Sequence, residues 1–132
     1  VRAAPRLAIG DSPPAREVGP VTLTDIVRFA GASGDFNSLH HDAAVARESG
    51  FPDVIAMGQL QAALAAGLLS DWVGVEHVAE FSVRFRSPVG VGDVIRLEAE
   101  VTRIEGAEAV VDVTASVDGR AVATASARVR TA

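Results

Sequence analysis

The stretch SGDFNSLHHD, residues 33 to 42, gathers Ser33, Asp35, Asn37, Ser38, His40, His41 and Asp42 into ten positions of a chain otherwise rich in Ala, Val and Leu. Three kinds of chemistry suit these residues. The plainest is local hydrogen bonding, because Ser, Gly, Asp and Asn are turn formers. Yet Phe36 and Leu39 alternate with the polar groups, which pins such a loop against a core. Asp35 and His40 also form an acid/imidazole pair that a turn does not need. A second possibility is a metal site built from Asp35, His40 and Asp42. Against it, His40 and His41 are adjacent and diverge, unlike the i, i+4 pair of a helical zinc site. The third histidine, His77, lies in a separate segment, and no recognised ligand spacing is present. The third possibility is general acid/base catalysis, in which a carboxylate and an imidazole converge on one water. Nucleophilic hydrolysis fits less well, since neither Ser33 nor Ser38 sits in a G-x-S-x-G elbow.

The elements around this stretch must hold it in place. Residues 1–22 carry Pro5, Pro13, Pro14 and Pro20 and read as an irregular or extended lead-in. Thr24 is the expected N-cap of a short helix whose apolar face is Ile26, Val27, Phe29 and Ala30, with Asp25 in its first turn. Gly31 and Gly34 are expected to stop it. Asp42 caps a second helix, AAVARES, and Gly50 follows its end. The segment MGQLQAALAAGLLSDWVG then places Leu60, Leu64 and Leu68 at helical spacing with Ala at most other positions. A helix so apolar on all sides is expected to be wrapped by a sheet. Its Gln61 and Ser70 are expected on the helix surface or in contacts between subunits, and Trp72 and His77 in structural or interface roles.

The period then changes to two. Phe81, Val83 and Phe85 alternate with polar residues, as do Ile95, Leu97, Ala99 and Val101, then Val111, Val113, Ala115 and Val117, then the run AVATASARVR. Turn signals at Gly90-Val91-Gly92-Asp93, Glu105-Gly106 and Asp118-Gly119 separate four strands. Connections this short predict a β-meander of antiparallel neighbours over 79–130. The fold class is α+β, in one domain of residues 1–132, with a polar loop at 33–42 and a central helix at 58–72.

Composition narrows the function. The chain has no cysteine, so disulfides, thiolate metal sites and a cysteine nucleophile are excluded. It has no lysine, so Schiff-base chemistry is excluded as well. The net charge of −5 opposes nucleic acid as a partner. No signal-peptide core and no apolar run of membrane-spanning length are visible, so a cytoplasmic protein without membrane association is the expectation.

SGDFNSLHHD, followed by DAAVARESGFPDVIAMGQL and later by VRFRSPVGVGDVIRLEAEV, resembles the MaoC-like enoyl-thioester hydratases and dehydratases. That family's motif reads S-G-D-x-N-P-x-H, followed by a small-residue helix and G-F. The resemblance runs from about Leu23 to the C-terminus. It implies a hotdog fold, a long helix wrapped by an antiparallel sheet, with two such domains dimerising through their sheets. It implies that Asp35 and His40 are catalytic and that Asn37, with Ser33 and Gly34, supports them. It also implies that the backbone N–H of Gly58 holds the thioester oxygen. Ser38 stands where the family has proline, and Met57 and Gln59 flank Gly58 where the family has H-G-M.

The expected reaction is reversible hydration of a trans-2-enoyl thioester to an (R)-3-hydroxyacyl thioester, with the acyl group carried on coenzyme A or on the phosphopantetheine of an acyl carrier protein. No metal or other cofactor is expected. Phe36, Met57, Gln59, Arg84 and Arg86 are candidate substrate contacts, the two arginines for CoA phosphates or an acidic carrier protein, although a solvated strand face is the favoured account of those two. A homodimer is expected and a heterodimer is open. The rival readings are a thioesterase on the same fold, a subunit of a heterodimeric dehydratase, and a non-catalytic acyl-thioester-binding module.

Overall fold

The computed structural model describes residues 1–132. The elements in chain order are β1 (Arg16–Val18), α1 (Leu23–Ser33), α2 (Ala43–Glu48), α3 (Gly58–Val73), β2 (Val78–Phe85), β3 (Ile95–Glu105), β4 (Glu108–Val117) and β5 (Arg120–Arg130). Short 3₁₀ turns occupy Ser38–His40 and Val75–His77. One five-stranded antiparallel sheet, in the order β1-β3-β4-β5-β2, wraps one side of α3. This is the α+β arrangement that the two periodicities predict. No helix is long and apolar enough to cross a membrane.

The alternation in β3 to β5 has a direct consequence. Ile95, Leu97, Ala99 and Val101 are buried, as are Val111, Val113, Ala115 and Val117, and Ala123, Ala125, Ala127 and Val129. These side chains share the concave face and meet Ala65, Leu68, Leu69 and Val73 of α3. Alanines at many facing positions let the helix sit close to the sheet. The opposite side of α3 is only partly covered, with Leu60 and Leu64 half-buried beside Phe29 of α1. The Asp118-Gly119 turn has both residues at positive φ, 49° and 78°, the conformation that a two-residue hairpin needs.

Three sequence expectations need correction. The strands are not a four-membered meander, because β2 pairs with β5 and not with its sequence neighbour β3. The linking residues 86–94 do not make a hairpin. They cross the end of the sheet, with Val89 fully buried and accepting from Ala56 N–H at 2.8 Å, and Gly90 bridged to Ile55. The N-cap of α1 is Thr22, not Thr24. Thr22 Oγ1 accepts from Asp25 N–H at 3.1 Å while Asp25 Oδ2 accepts from Thr22 N–H at 2.9 Å, a reciprocal capping box. Gly31 lies inside α1, and Gly34 alone ends it, at φ 72°.

The hydrogen bond from Thr22 N–H holds the Asp25 carboxyl below its ordinary value of 3.8. A carboxyl lowered in the folded state contributes stability above its unfolded pKa and loses it as pH falls through the folded one. Asp25→Ala removes this acceptor and should therefore destabilise the chain at neutral pH. In denaturant titrations that difference should shrink as the pH is taken below 3.8. A pH-independent difference would assign the loss to packing.

The lead-in is tied down along its length. His77 Nε2 donates to Arg2 O at 3.0 Å, and Arg2 N–H donates to Glu76 Oε1 at 2.6 Å. Gly10 N–H and Asp11 O bracket Val101 with bonds of 2.8 and 2.9 Å. The lead-in thus covers the outer edge of β3 before β1 pairs with it. His77 has the structural role that its isolation in the sequence suggests, and Trp72 packs half-buried against the core.

Candidate active site

The polar loop is a chain of short-range bonds leading to one imidazole. Gly34 ends α1 in the left-handed conformation, its N–H donating to Ala30 O at 2.9 Å. Ser33 Oγ donates back to Phe29 O at 2.7 Å and receives Asp35 N–H at 3.4 Å. Asp35 Oδ1 accepts from Asn37 N–H at 3.3 Å, and Asn37 Oδ1 accepts from Leu39 N–H at 3.0 Å, which starts the 3₁₀ turn carrying His40. Local turn bonding is therefore present, and it positions Asp35 and His40 beside each other.

The backbone of Ile55 clamps this turn. Its N–H donates to Leu39 O at 3.1 Å, and its carbonyl accepts from His40 Nδ1 at 2.7 Å. A carbonyl can only accept, so the Nδ1 of His40 carries a hydrogen. In the neutral ring Nε2 is then the basic nitrogen, and it faces Asp35 Oδ2 at 3.5 Å. That gap exceeds a good direct hydrogen bond. Two acceptors at this spacing suit a water that donates one hydrogen to each. The His40 side chain is 9% exposed and that of Asp35 is 40%, so the imidazole is the inner partner and the carboxylate the rim. His41 takes a different course, its Nε2 donating to Phe36 O at 3.2 Å. No three His, Asp or Glu side chains converge as a metal-ligand set.

His40 opens onto a cavity of about 290 Å³ lined also by Ile55, Ala56, Gly58, Gln61, Phe85, Arg86, Ser87 and Pro88. Gly58 is the first residue of α3. Thr22 caps α1 and Asp42 caps α2, but no side chain caps α3. The first N–H groups of a helix have no intrahelical acceptor, and the helix dipole makes them attractive to developing negative charge. Here they begin at the wall of the cavity that holds His40. A Cβ on Gly58 would lie 3.0 Å from Cδ1 and Cε1 of Phe85, so glycine is what lets the two approach.

Of the candidate substrate contacts, only Arg86 lines this cavity, its Nε donating to Thr124 Oγ1 at 3.2 Å. That bond carries the Arg86 guanidinium toward the outer face of the sheet, where Arg84 also lies, beside Ser82, Asp112 and Thr124. Met57 is buried in the core, while Gln59 and Phe36 are exposed and outside the cavity. Gln61 was expected on the helix surface or between subunits; it is 2% exposed and lines the cavity. It was visible in the sequence as the one polar residue a helical turn beyond Gly58 in a run of Ala and Leu. The Ile55 clamp is made by backbone atoms and leaves no residue-type signal.

Residues 5–122 match the family model described as MaoC like domain. The chain belongs to that family. The MaoC-like chain is 39% identical over 83 residues to an (R)-specific enoyl-CoA hydratase of Aeromonas caviae, a match covering 61% of each protein. It is 36% identical over 90 residues to a mitochondrial 3-hydroxyacyl-[acyl-carrier-protein] dehydratase of Arabidopsis thaliana, covering 67% of this chain and 52% of that protein. The matched stretches thus span about half to three-fifths of those relatives' lengths. Among solved structures, the (R)-hydratase of A. caviae involved in PHA biosynthesis superposes with a TM-score of 0.84 at 29% identity, over 96% of this chain and 98% of that one. The fold is the hotdog of these MaoC-like hydratases.

Proposed function

We propose that this MaoC-like chain reversibly hydrates trans-2-enoyl thioesters to (R)-3-hydroxyacyl thioesters. The observation that carries the reading is the 3.5 Å gap between a basic His40 Nε2 and Asp35 Oδ2, beside the uncapped start of α3. A water held by both groups loses a proton to the pair as its oxygen attacks Cβ. The pair returns one proton to Cα, so the elements of one water are added and nothing is oxidised. The two groups share these steps. The Gly58 N–H stabilises the enolate-like thioester oxygen that develops in between. Ser33, Gly34 and Asn37 position the pair, and in this reading Arg86, at the cavity wall, swings from Thr124 to meet a phosphate of coenzyme A or of pantetheine on an acyl carrier protein. The chemistry is proton transfer with formation of one C–O bond, and it calls for neither a metal nor a redox cofactor. The homologues' names, hydratase in one case and acyl-carrier-protein dehydratase in another, support the reaction class.

The test is to add the purified chain to crotonyl-CoA, and to the same enoyl group on carrier-protein pantetheine, and to follow the ultraviolet band of the conjugated thioester. Loss of the band without thiol release is the expected result. Thiol release with the double bond intact would establish thioester hydrolysis instead. Binding of both substrates without change in either would mark an acyl-thioester-binding module.

A second copy of the chain is part of this proposal. β2 forms the open edge of the sheet, and the Phe85 side chain at its end is half exposed beside the cavity. An unprotected edge invites a partner strand. Pairing two copies along β2 would cover both. Sedimentation of the purified chain should give a dimer mass; a monomer at assay concentration would point to a different chain as the partner.

A further inference from the structure

Gln61 is a buried polar residue for which the hydration mechanism has no use. Its Nε2 donates to Ser87 O at 3.3 Å and to Val122 O at 3.2 Å. Two carbonyls on one side fix the amide orientation, since the flipped form would press Oε1 against two other acceptors. Oε1 itself accepts no hydrogen bond from the protein. No unpartnered side-chain polar atom is sealed away from every opening, so Oε1 reaches the cavity that Gln61 lines. Gln61 is one helical turn beyond Gly58 on the same face, and side chains on a helix lean toward its N-terminus. The acceptor therefore faces the same cavity as Gly58 from one turn further along α3, between walls that include Phe85 and Pro88.

Gln61 as a whole is 2% exposed, and its Oε1 has no donor in the protein, so a ligand that fills the cavity must supply an N–H or O–H or leave this oxygen unpaired. We infer that Gln61 is a specificity residue, whose Oε1 accepts a hydrogen bond from a hydroxyl or amide carried by the acyl group beyond C3, so that the site selects functionalised acyl thioesters over plain alkyl ones. This rests on the hydratase reading above and adds the substrate class to it. Sites built to hydrogen-bond a substrate hydroxyl discriminate strongly against the analogue that lacks it, because the buried acceptor is then left empty.

The test compares trans-2-hexenoyl thioester with its 5-hydroxy and 6-hydroxy analogues, each on coenzyme A and on carrier-protein pantetheine, in the wild type and in Gln61→Met. In the wild type, kcat/KM for at least one hydroxylated substrate should exceed that for the plain chain by about 10-fold or more, the scale of one buried hydrogen bond. In Gln61→Met the order should reverse. A purely structural role for Gln61 would lower all three values together and leave their ratio unchanged. Ratios near one in the wild type overturn the assignment and leave the hydratase reading standing, as they would if a water filled the acceptor. Failure of the wild type to consume any of the enoyl substrates overturns both. The wild-type ratio decides by itself if Gln61→Met does not fold, since that variant strips the donor from Ser87 O and Val122 O.

Discussion

Asp35→Asn and His40→Asn should each lower kcat on an enoyl thioester by about 10²–10⁴-fold, the range of a lost general acid or base. Both replacements are chosen for what they keep. Asn at position 35 still offers an oxygen to the Asn37 N–H, and Asn at position 40 offers an amide N–H to the Ile55 carbonyl. The loop should hold its shape and the variants should melt near the wild type. Each loses only its share in the water: the carboxylate charge in one, the basic Nε2 in the other. Because the pair acts on one water, the double variant should be little worse than either single one. Multiplicative losses, or near wild-type turnover by either single variant, would remove the pair from the mechanism.

The second large effect separates the donor at Gly58 from the space around it. Gly58→Ala and Gly58→Pro both bring a Cβ to about 3.0 Å from the Phe85 ring, so in both that ring must give way slightly. Only proline also deletes the N–H. Position 58 is the first residue of α3, where proline is well tolerated, and Met57 before it has the extended backbone, φ −71° and ψ 142°, that a following proline requires. Helix content should therefore survive in both. The expected result is a kcat for Gly58→Pro lower than that of Gly58→Ala by about 10²–10³-fold, the usual cost of one oxyanion donor. Equal losses would mean that the glycine serves close packing only.

The residue types made much of this legible. Asp35 and His40 are polar groups with no turn-forming reason to sit together, and Gly58 opens a helix that lacks the Ser, Thr or Asp found ahead of the other two. The strand alternation is equally direct, since a period of two has one physical meaning in a half-buried sheet. What stayed hidden depends on contacts between distant segments. The pairing of β2 with β5 is set by how residues 86–94 cross the sheet end, and turn composition alone made that crossing look like a hairpin. The burial of Gln61 follows from Ser87 and Val122 supplying two carbonyls at one point. Nothing near position 61 in the sequence announces them. The cap at Thr22 was readable, because Thr22 and Asp25 have the spacing of a capping box, but Thr24 stands closer to the apolar run and drew the assignment.

The lead-in segment has a consequence for how many neighbours the molecule can take. On the β3 side the sheet is finished off twice, by Gly10 and Asp11 around Val101 and by the three residues of β1. On the other side, the eight residues of β2 stand open. A sheet with one closed side and one open side has a valence of one. Whatever strand docks along β2 ends the growth, because the opposite edge is only the three residues of β1, too short to receive another. A concentration series should therefore stop at pairs and never run on into fibres. Cutting the chain back past Val18 should be the change that removes this stop.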